Sequence, residues 1–185
     1  MAGIPTLYDG AWFRSRIEAR HAALFDLLGW PWVYEPSDLK YYIPDFSLTF
    51  YKPLLVEVKD EVSTEALLVA AGSKIEASGW KGEVLIVGAS PQLELATHWN
   101  NENGVFGLLL DVGWDETPQW GNAIFFECVF CKRFSLFHET GSYHCRVCGG
   151  WDGDKHLNHP NVSLRTLWNK AGSLVQWKGA FPRKG

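Results

Sequence analysis

Two short apolar-rich runs joined by a proline-marked turn constrain this chain more than any other feature. Tyr41-Tyr42-Ile43-Pro44-Asp45-Phe46-Ser47-Leu48-Thr49 and Leu54-Leu55-Val56-Glu57-Val58-Lys59 are rich in the residues of strands, and Pro53 punctuates the gap between them. A hairpin turning about Tyr51 sets residues whose numbers sum to 102 opposite each other. Asp45 then faces Glu57, with cross-strand Cβ atoms roughly 5 Å apart. Glu57 and Lys59 are two apart and project from one face. Two carboxylates and an ammonium therefore meet on a sheet otherwise built of hydrocarbon. That arrangement is costly unless something such as a divalent cation holds it. The plainer reading is a surface salt bridge, which contributes only about 0–1 kcal/mol.

Around this hairpin the pattern alternates. Phe13, Ile17, Leu24, Phe25 and Leu28 recur at helical spacing and predict a helix over 12–28, with Gly29 as its C-cap and Pro31 preventing continuation. Trp32-Val33-Tyr34 predicts a first strand, and Glu35 to Asp38 its turn. Ser63 or Thr64 can N-cap a second helix running to Gly79. Val84 to Val87 reads as a strand buried on both faces. Val105 to Val112 predicts another strand and Ala123 to Phe126 begins the next, with 97–104 and 113–122 loop-like. The last residues, Gly179 to Gly185, are expected to fray.

At 185 residues the chain can bury one sound core plus a small satellite module. No apolar run reaches the ~20 residues of a membrane span, and the N-terminus lacks a signal-peptide pattern. The net charge of −4 hides a polarity: residues 1–127 carry a balance of −10 and residues 128–185 one of +6. An acidic half beside a basic half suits a protein whose first part holds metal while the second grips phosphates, although modules also segregate charge by chance.

Cys128-Val129-Phe130-Cys131 and Cys145-Arg146-Val147-Cys148 form two CxxC pairs, thirteen residues apart. Four thiolates at this spacing place two ligands on each of two tight turns and can enclose Zn²⁺ tetrahedrally in a closed, structural site. Gly149 supports the second turn, and Phe134 to Tyr143 suits a hairpin, which makes the module look like a zinc ribbon. Two disulfides, or a redox pair, fit less well in the reducing, cytoplasmic setting this cysteine usage suggests. His138 and His144 read as surface or supporting groups, and His156-Leu157-Asn158-His159 as an ordinary loop. Lys132, Arg133, Arg146 and Lys155 are candidate contacts to a nucleic-acid backbone. Trp151, Trp168 and Trp177 either stack on bases or pack against the main domain, the second being the plainer use.

Pro44-Asp45, the eleven-residue gap and Glu57-Val58-Lys59, together with Glu18 in Phe13-Arg14-Ser15-Arg16-Ile17-Glu18-Ala19-Arg20, resemble the signature of the PD-(D/E)XK nuclease superfamily over about residues 10–90. The resemblance implies an α+β (α/β) fold with a restriction-endonuclease-like core, a mixed β-sheet flanked by helices, here followed by the small zinc-ribbon module. Three segments result: 1–122 nuclease-like, 123–155 zinc ribbon, and 156–185 a basic, aromatic extension. It further implies Mg²⁺ (or Mn²⁺) held by Asp45 and Glu57 with the Val58 carbonyl as an extra ligand. Lys59 would orient or deprotonate the attacking water, and Glu18 would complete a second metal site or hold a coordinated water. Arg14, Arg16 and Arg20 would flank the opening, Arg14 and Arg16 touching phosphate or pairing with carboxylates. Lys74 on the second helix is a further candidate at the site's edge, and Asp60 and Glu61 read as solvated turn residues.

The activity implied is metal-dependent hydrolysis of DNA by a bacterial or phage cytoplasmic protein, with no membrane partner. Nucleases of mobile elements and of restriction or repair share this plan. A homodimer or larger nucleoprotein assembly is compatible with cutting both strands. A non-catalytic nucleic-acid-binding or assembly subunit that keeps the fold, and a relative acting on RNA, stay open beside it.

Overall fold

The structure, a computed structural model, describes residues 3–91, 104–112, 117–140 and 143–176. Of the expected loops, 97–104 (all but Gly104) and 113–116 of 113–122 lie outside them, as do the expected fraying of 179–185 and the role of Trp177. The elements are β1 (Thr6–Tyr8), β2 (Ala11–Phe13), α1 (Arg16–Leu28), β3 (Trp32–Tyr34), β4 (Phe46–Leu48), β5 (Leu54–Val58), α2 (Thr64–Ser78), β6 (Val84–Val87), β7 (Val105–Val112), β8 (Pro118–Cys128), β9 (Phe134–His138), β10 (Leu157–Asn158) and α3 (Leu164–Leu174).

The hairpin register is the expected one. Phe46 pairs with Val56, Ser47 with Leu55 and Leu48 with Leu54. The first strand is shorter than the sequence suggests, because Tyr41 and Tyr42 belong to a separate tight turn, Leu39 to Tyr42, and Ile43 and Pro44 link it to the strand. Beyond the hairpin the sheet continues in the order β10-β8-β7-β6-β5-β4-β3, with β9 also paired to β8. Among the described strands only β5 and β6 run parallel; α2 supplies the crossover between them. The described residues thus have an α+β architecture: a mixed eight-stranded sheet, a two-stranded β1–β2 ribbon and three helices.

Alternation along the strands assigns the two faces. Phe46, Leu48, Leu54, Val56, Leu85 and Val87 pack with α1 and α3 in the larger core. Leu55, Val84 and Ile86 pack with Leu67, Ala71 and Ile75 of α2 in the smaller one. The odd residues of the hairpin therefore look toward α2, and Asp45 and Glu57 share that side.

Local signals explain where the helices stop. Ser15 Oγ accepts from the Glu18 N–H, which starts α1 at Arg16, four residues after the start expected from periodicity, and leaves Phe13 in β2. At its other end Gly29, with φ +65, donates to Asp26 O while Trp30 N–H reaches Phe25 O, a left-handed cap that Gly tolerates without strain. Ser63 and Gly79 bracket α2 as predicted.

The basic, aromatic extension contains a helix. Leu164, Leu167, Trp168 and Ala171 of α3 are buried against α1, so Trp168 is core, and Arg20 stacks over its ring at 3.8 Å and donates to its carbonyl. Arg20 therefore turns away from the acidic hairpin rather than flanking it. Residues 118–122, expected as loop, begin β8, and His156 to His159 contain β10 instead of an ordinary loop. β8 and β9 belong to the same sheet as the acidic hairpin, so the ladder runs unbroken across the expected 122/123 boundary. No helix among the described residues is long and apolar enough to cross a membrane.

Candidate active site and cysteine cluster

Asp45, Glu57, Val58 and Lys59 line one cavity of about 650 Å³, together with Arg14, Glu18, Lys74 and the 38–43 turn. Several elements place these side chains. The hairpin register brings Asp45 to the start of β4 and Glu57 near the end of β5, and the Val58 N–H donates to Asp45 Oδ2 at 2.7 Å, joining them. The Lys59 N–H donates to Val87 O at 2.9 Å, which extends the parallel ladder and fixes the backbone under its side chain. Lys74 projects from α2, one helical turn beyond the buried Ala71.

Asp45 is 4% and Glu57 2% exposed. Burial, then the neighbouring Glu57 charge, pushes the Asp45 carboxyl up to about 6, against the opposing Val58 N–H and Arg14. Burial and the charges of Glu57 and Asp45 likewise raise the phenol of Tyr42, which lies beneath the site. Cations answer the carboxylates. Arg14 pairs with Asp45 through a terminal guanidinium nitrogen and with Glu35 through Nε at 3.1 Å. Lys59 and Lys74 both pair with Glu57 Oε1, Lys74 at 3.3 Å. Glu57 Oε2 is buried and makes no hydrogen bond among the described residues.

Glu18 is used differently from the expectation. Its Oε1 accepts from Ser15 Oγ at 2.8 Å, and its Oε2 accepts from the Arg14 N–H at 3.2 Å and Tyr34 Oη at 2.5 Å. It is the reciprocal partner of Ser15 at the start of α1, which the spacing Ser15-Arg16-Ile17-Glu18 already encodes. Glu18 lines the cavity but does not gather with Asp45 and Glu57 into a cluster of three metal-ligating side chains. In sequence Tyr34 and Tyr42 read as ordinary strand residues and Glu35 as a turn residue, and no local signal marks any of them as neighbours of the acids.

The four cysteines are free thiols, and their sulfurs all lie within 4.8 Å of one another. The Cys128–Cys148 and Cys131–Cys145 sulfurs are 4.0 and 3.8 Å apart. A tetrahedron with metal–sulfur bonds of about 2.3 Å has edges of about 3.8 Å, so the set is arranged to bind a metal ion such as zinc. Two matching turns build it: the Lys132 N–H donates to Cys128 O at 2.8 Å and the Gly149 N–H to Cys145 O at 2.7 Å. Each turn ends in the left-handed region, Lys132 at φ +57 and Gly149 at φ +73. Gly149 is required twice, since a Cβ there would also lie 2.9 Å from the Tyr51 ring. The first turn joins β8 to β9, so the hairpin lies before and across Cys128 to Arg133, not within Phe134 to Tyr143.

Arg146 is not a surface contact for nucleic acid. It is 2% exposed, donates to Glu83 through Nε at 2.8 Å and to Leu136 O at 2.9 Å, and lies 3.7 Å from Asp111. A cation between two cysteines looks accessible in sequence; here two distant acids neutralise it inside the sheet. Arg133 is exposed but spends a donor on Gly29 O, whereas Arg16 and Lys132 stand open to solvent. His138 and His156 are buried rather than superficial. His156 stacks on Phe130 and accepts from the Asp152 N–H, which backs the first cysteine turn. Asp60 is solvated as expected, and the Glu61 carbonyl receives the Ala89 N–H at 2.8 Å.

Compared with known proteins, the chain matches no family model, no curated protein and no solved structure.

Proposed function

We propose that the protein is a metal-dependent nuclease that hydrolyses phosphodiester bonds of DNA at the Asp45–Glu57–Lys59 cavity, in the manner of the PD-(D/E)XK superfamily its motif resembles. One observation carries this reading: among the described residues Glu57 Oε2 is a buried carboxylate oxygen outside hydrogen-bond geometry, beside a second buried carboxylate and a buried Tyr42 phenol that is equally unsatisfied. A desolvated anionic oxygen that no well-formed hydrogen bond satisfies is costly in a purely structural site. It fits a hard cation, and oxygen donors are what Mg²⁺ prefers.

Asp45 and Glu57, with the Val58 carbonyl nearby, would hold the ion. A divalent cation there supplies Lewis acidity toward a phosphate oxygen and acidifies water. The chain's own groups do the rest. Lys59 Nζ, paired with Glu57, would orient the attacking water and meet charge developing on the phosphorus oxygens. Arg14 is 56% exposed at its side chain and can exchange Asp45 for a substrate phosphate as the carboxylate turns to another cation. Lys74 can do the same from the α2 side. The cysteine cluster, taken as structural Zn²⁺ in a ribbon-like module, contributes folding rather than chemistry.

A second reading also has an observation behind it. Arg14, Lys59 and Lys74 already neutralise much of the acidic pair, as they would in a nucleic-acid-binding or assembly subunit that no longer turns over. The two are separated by titrating Mg²⁺ or Mn²⁺ calorimetrically into wild type and Asp45→Ala, then incubating matched DNA and RNA oligonucleotides with each ion. The nuclease reading expects metal binding lost in the variant, and cleavage of DNA lost in Lys59→Ala. Metal binding indifferent to Asp45, or nucleic-acid binding without turnover under either ion, sinks it.

A further inference from the structure

The mouth of the cavity carries a residue that neither the fold nor the proposed chemistry uses. Tyr41 lines it and is 81% exposed, while its neighbour Tyr42 is buried in the smaller core. The split is set by a tight turn in which Leu39 and Tyr42 exchange backbone hydrogen bonds of 2.8 and 3.1 Å. Tyr41 is the third residue of that turn and has φ +60, a position where Gly or Asn is usual and a bulky side chain rare. Its ring belongs to none of the buried clusters. Lys40 Nζ stands 5.4 Å from the ring centroid, and Ile43, also in the lining, is 42% exposed beside it. A strained backbone thus holds an aromatic face out over the site instead of burying it, which is the pattern of a functional position.

We infer that Tyr41 is a stacking platform for a nucleobase next to the phosphate bound in the cavity, and that the strand accepted there is single-stranded or locally unpaired. The inference rests on the nuclease reading and names its substrate class. A flat apolar face beside a cation-lined phosphate site matches a nucleotide, whose base and phosphate need those two surfaces at short range. Lys40, next to the ring, faces the adjoining backbone phosphate. In a continuous duplex both faces of a base are covered by its neighbours, so Tyr41 can stack only where a base is unpaired, frayed or turned out. The acidic first half of the chain fits this role, because a stacked base adds attraction that does not depend on a basic surface.

The test measures binding of a short oligothymidylate, an abasic strand of the same length and a blunt duplex by fluorescence anisotropy, with Ca²⁺ replacing Mg²⁺. Wild type is expected to prefer oligothymidylate over the abasic strand and the duplex. Tyr41→Ala should lose about 5- to 150-fold in affinity for oligothymidylate, the weight of one stacked base, and nothing for the abasic strand. Tyr41→Phe should keep wild-type affinity. Tyr41→Gly, which accepts φ +60 freely, should melt no lower than wild type and still bind like Tyr41→Ala. Equal affinity of wild type for based and abasic strands overturns the platform, as does Tyr41→Ala binding oligothymidylate like wild type, or no binding of any strand. Cleavage with Mg²⁺ is scored separately. Turnover with no Tyr41 effect removes the platform and leaves the nuclease; a Tyr41 effect without turnover does the reverse.

Discussion

The backbone N–H of Tyr51 donates to the Arg146 carbonyl at 2.9 Å, fastening the tip of the acidic hairpin to the second cysteine turn. The Tyr51 ring also covers Gly149, where a Cβ would lie 2.9 Å away. The two candidate centres are therefore mechanically joined, although their residues are about ninety positions apart in sequence. Gly149→Ala combines a positive φ with this clash and is expected to cost about 2 kcal/mol, measured by urea denaturation. It should also weaken divalent-cation binding at Asp45 and Glu57, which it does not touch. Calorimetric Mg²⁺ affinity equal to wild type would show that the two centres are independent.

Loss of the cysteine site should propagate the same way. Cys145 is fully buried beside Arg146, and Cys145→Ser removes one of four ligands at the turn that holds Tyr51. We expect a loss of about 3 kcal/mol or more when zinc-loaded wild type is compared with the variant. Chelation of wild type should lower its Tm toward that of the variant, with zinc restoring it. A Tm indifferent to both chelator and added zinc would leave the cluster without a structural role.

Arg146 separates a buried role from a surface role. Arg146→Ala leaves the carboxylates of Glu83 and Asp111 without their shared guanidinium inside the sheet and is expected to cost about 3–5 kcal/mol. Lys132→Ala, on the solvent side of the other turn, should change stability by less than about 0.5 kcal/mol. Denaturation midpoints decide between them: similar small shifts would return Arg146 to the surface role its sequence position suggests.

These residues also mark how far the sequence can be read. The β4–β5 register is legible because a short turn fixes the pairing and alternation fixes the faces, so Asp45 and Glu57 are found without coordinates. The cysteine cluster is legible because ligand spacing is local. Arg146 is not, since nothing near it announces Glu83, sixty-three residues earlier, or the depth of Asp111 in β7. Glu18 carries two local meanings at once, and the helix-capping one uses both its oxygens. α3 had a legible pattern in Ser163, Leu164, Leu167, Trp168 and Ala171, but reading that stretch by charge and aromatic content hides its period.

Two buried groups pull stability in opposite directions across one pH window. His21 in α1 is fully buried; it lies 2.9 Å from Gly88 O through Nε2, and burial lowers its pKa from 6.5 to about 4. The unfolded chain then binds the extra proton first, so this contribution is present above 6.5 and lost as pH falls toward 4. Asp45 is raised from 3.8 to about 6, so its contribution is full below 3.8 and lost as pH rises through 6. Each is worth at most about 3 kcal/mol. In metal-free wild type the two slopes should largely cancel between pH 4 and 6.5. Asp45→Asn should expose a stability that climbs with pH across that window, and His21→Gln one that declines. Parallel profiles for both variants, measured by urea denaturation, would refute the opposition.

Lys59 and Lys74 contact the same oxygen of Glu57 but differ in anchorage, which predicts different kinetic losses. Lys59 is the less exposed of the two, and its backbone is tied to β6 through Val87 O, so its ammonium is held on Glu57 from a fixed strand end. Lys74 reaches in from a helix, with its side chain 41% exposed and its ammonium 4.9 Å from the Tyr42 ring centroid. If the nuclease reading holds, Lys59→Ala should lower kcat by about 10²–10⁴-fold with little change in KM, as expected for a group whose contact strengthens in the transition state. Lys74→Ala should raise KM by up to about tenfold and leave kcat within a few-fold, because it supplies attraction to the ground-state phosphate as much as to the transition state. Steady-state cleavage of a labelled oligonucleotide resolves both constants. The reverse pattern, with kcat carried by Lys74, would move the catalytic ammonium from the strand end to α2.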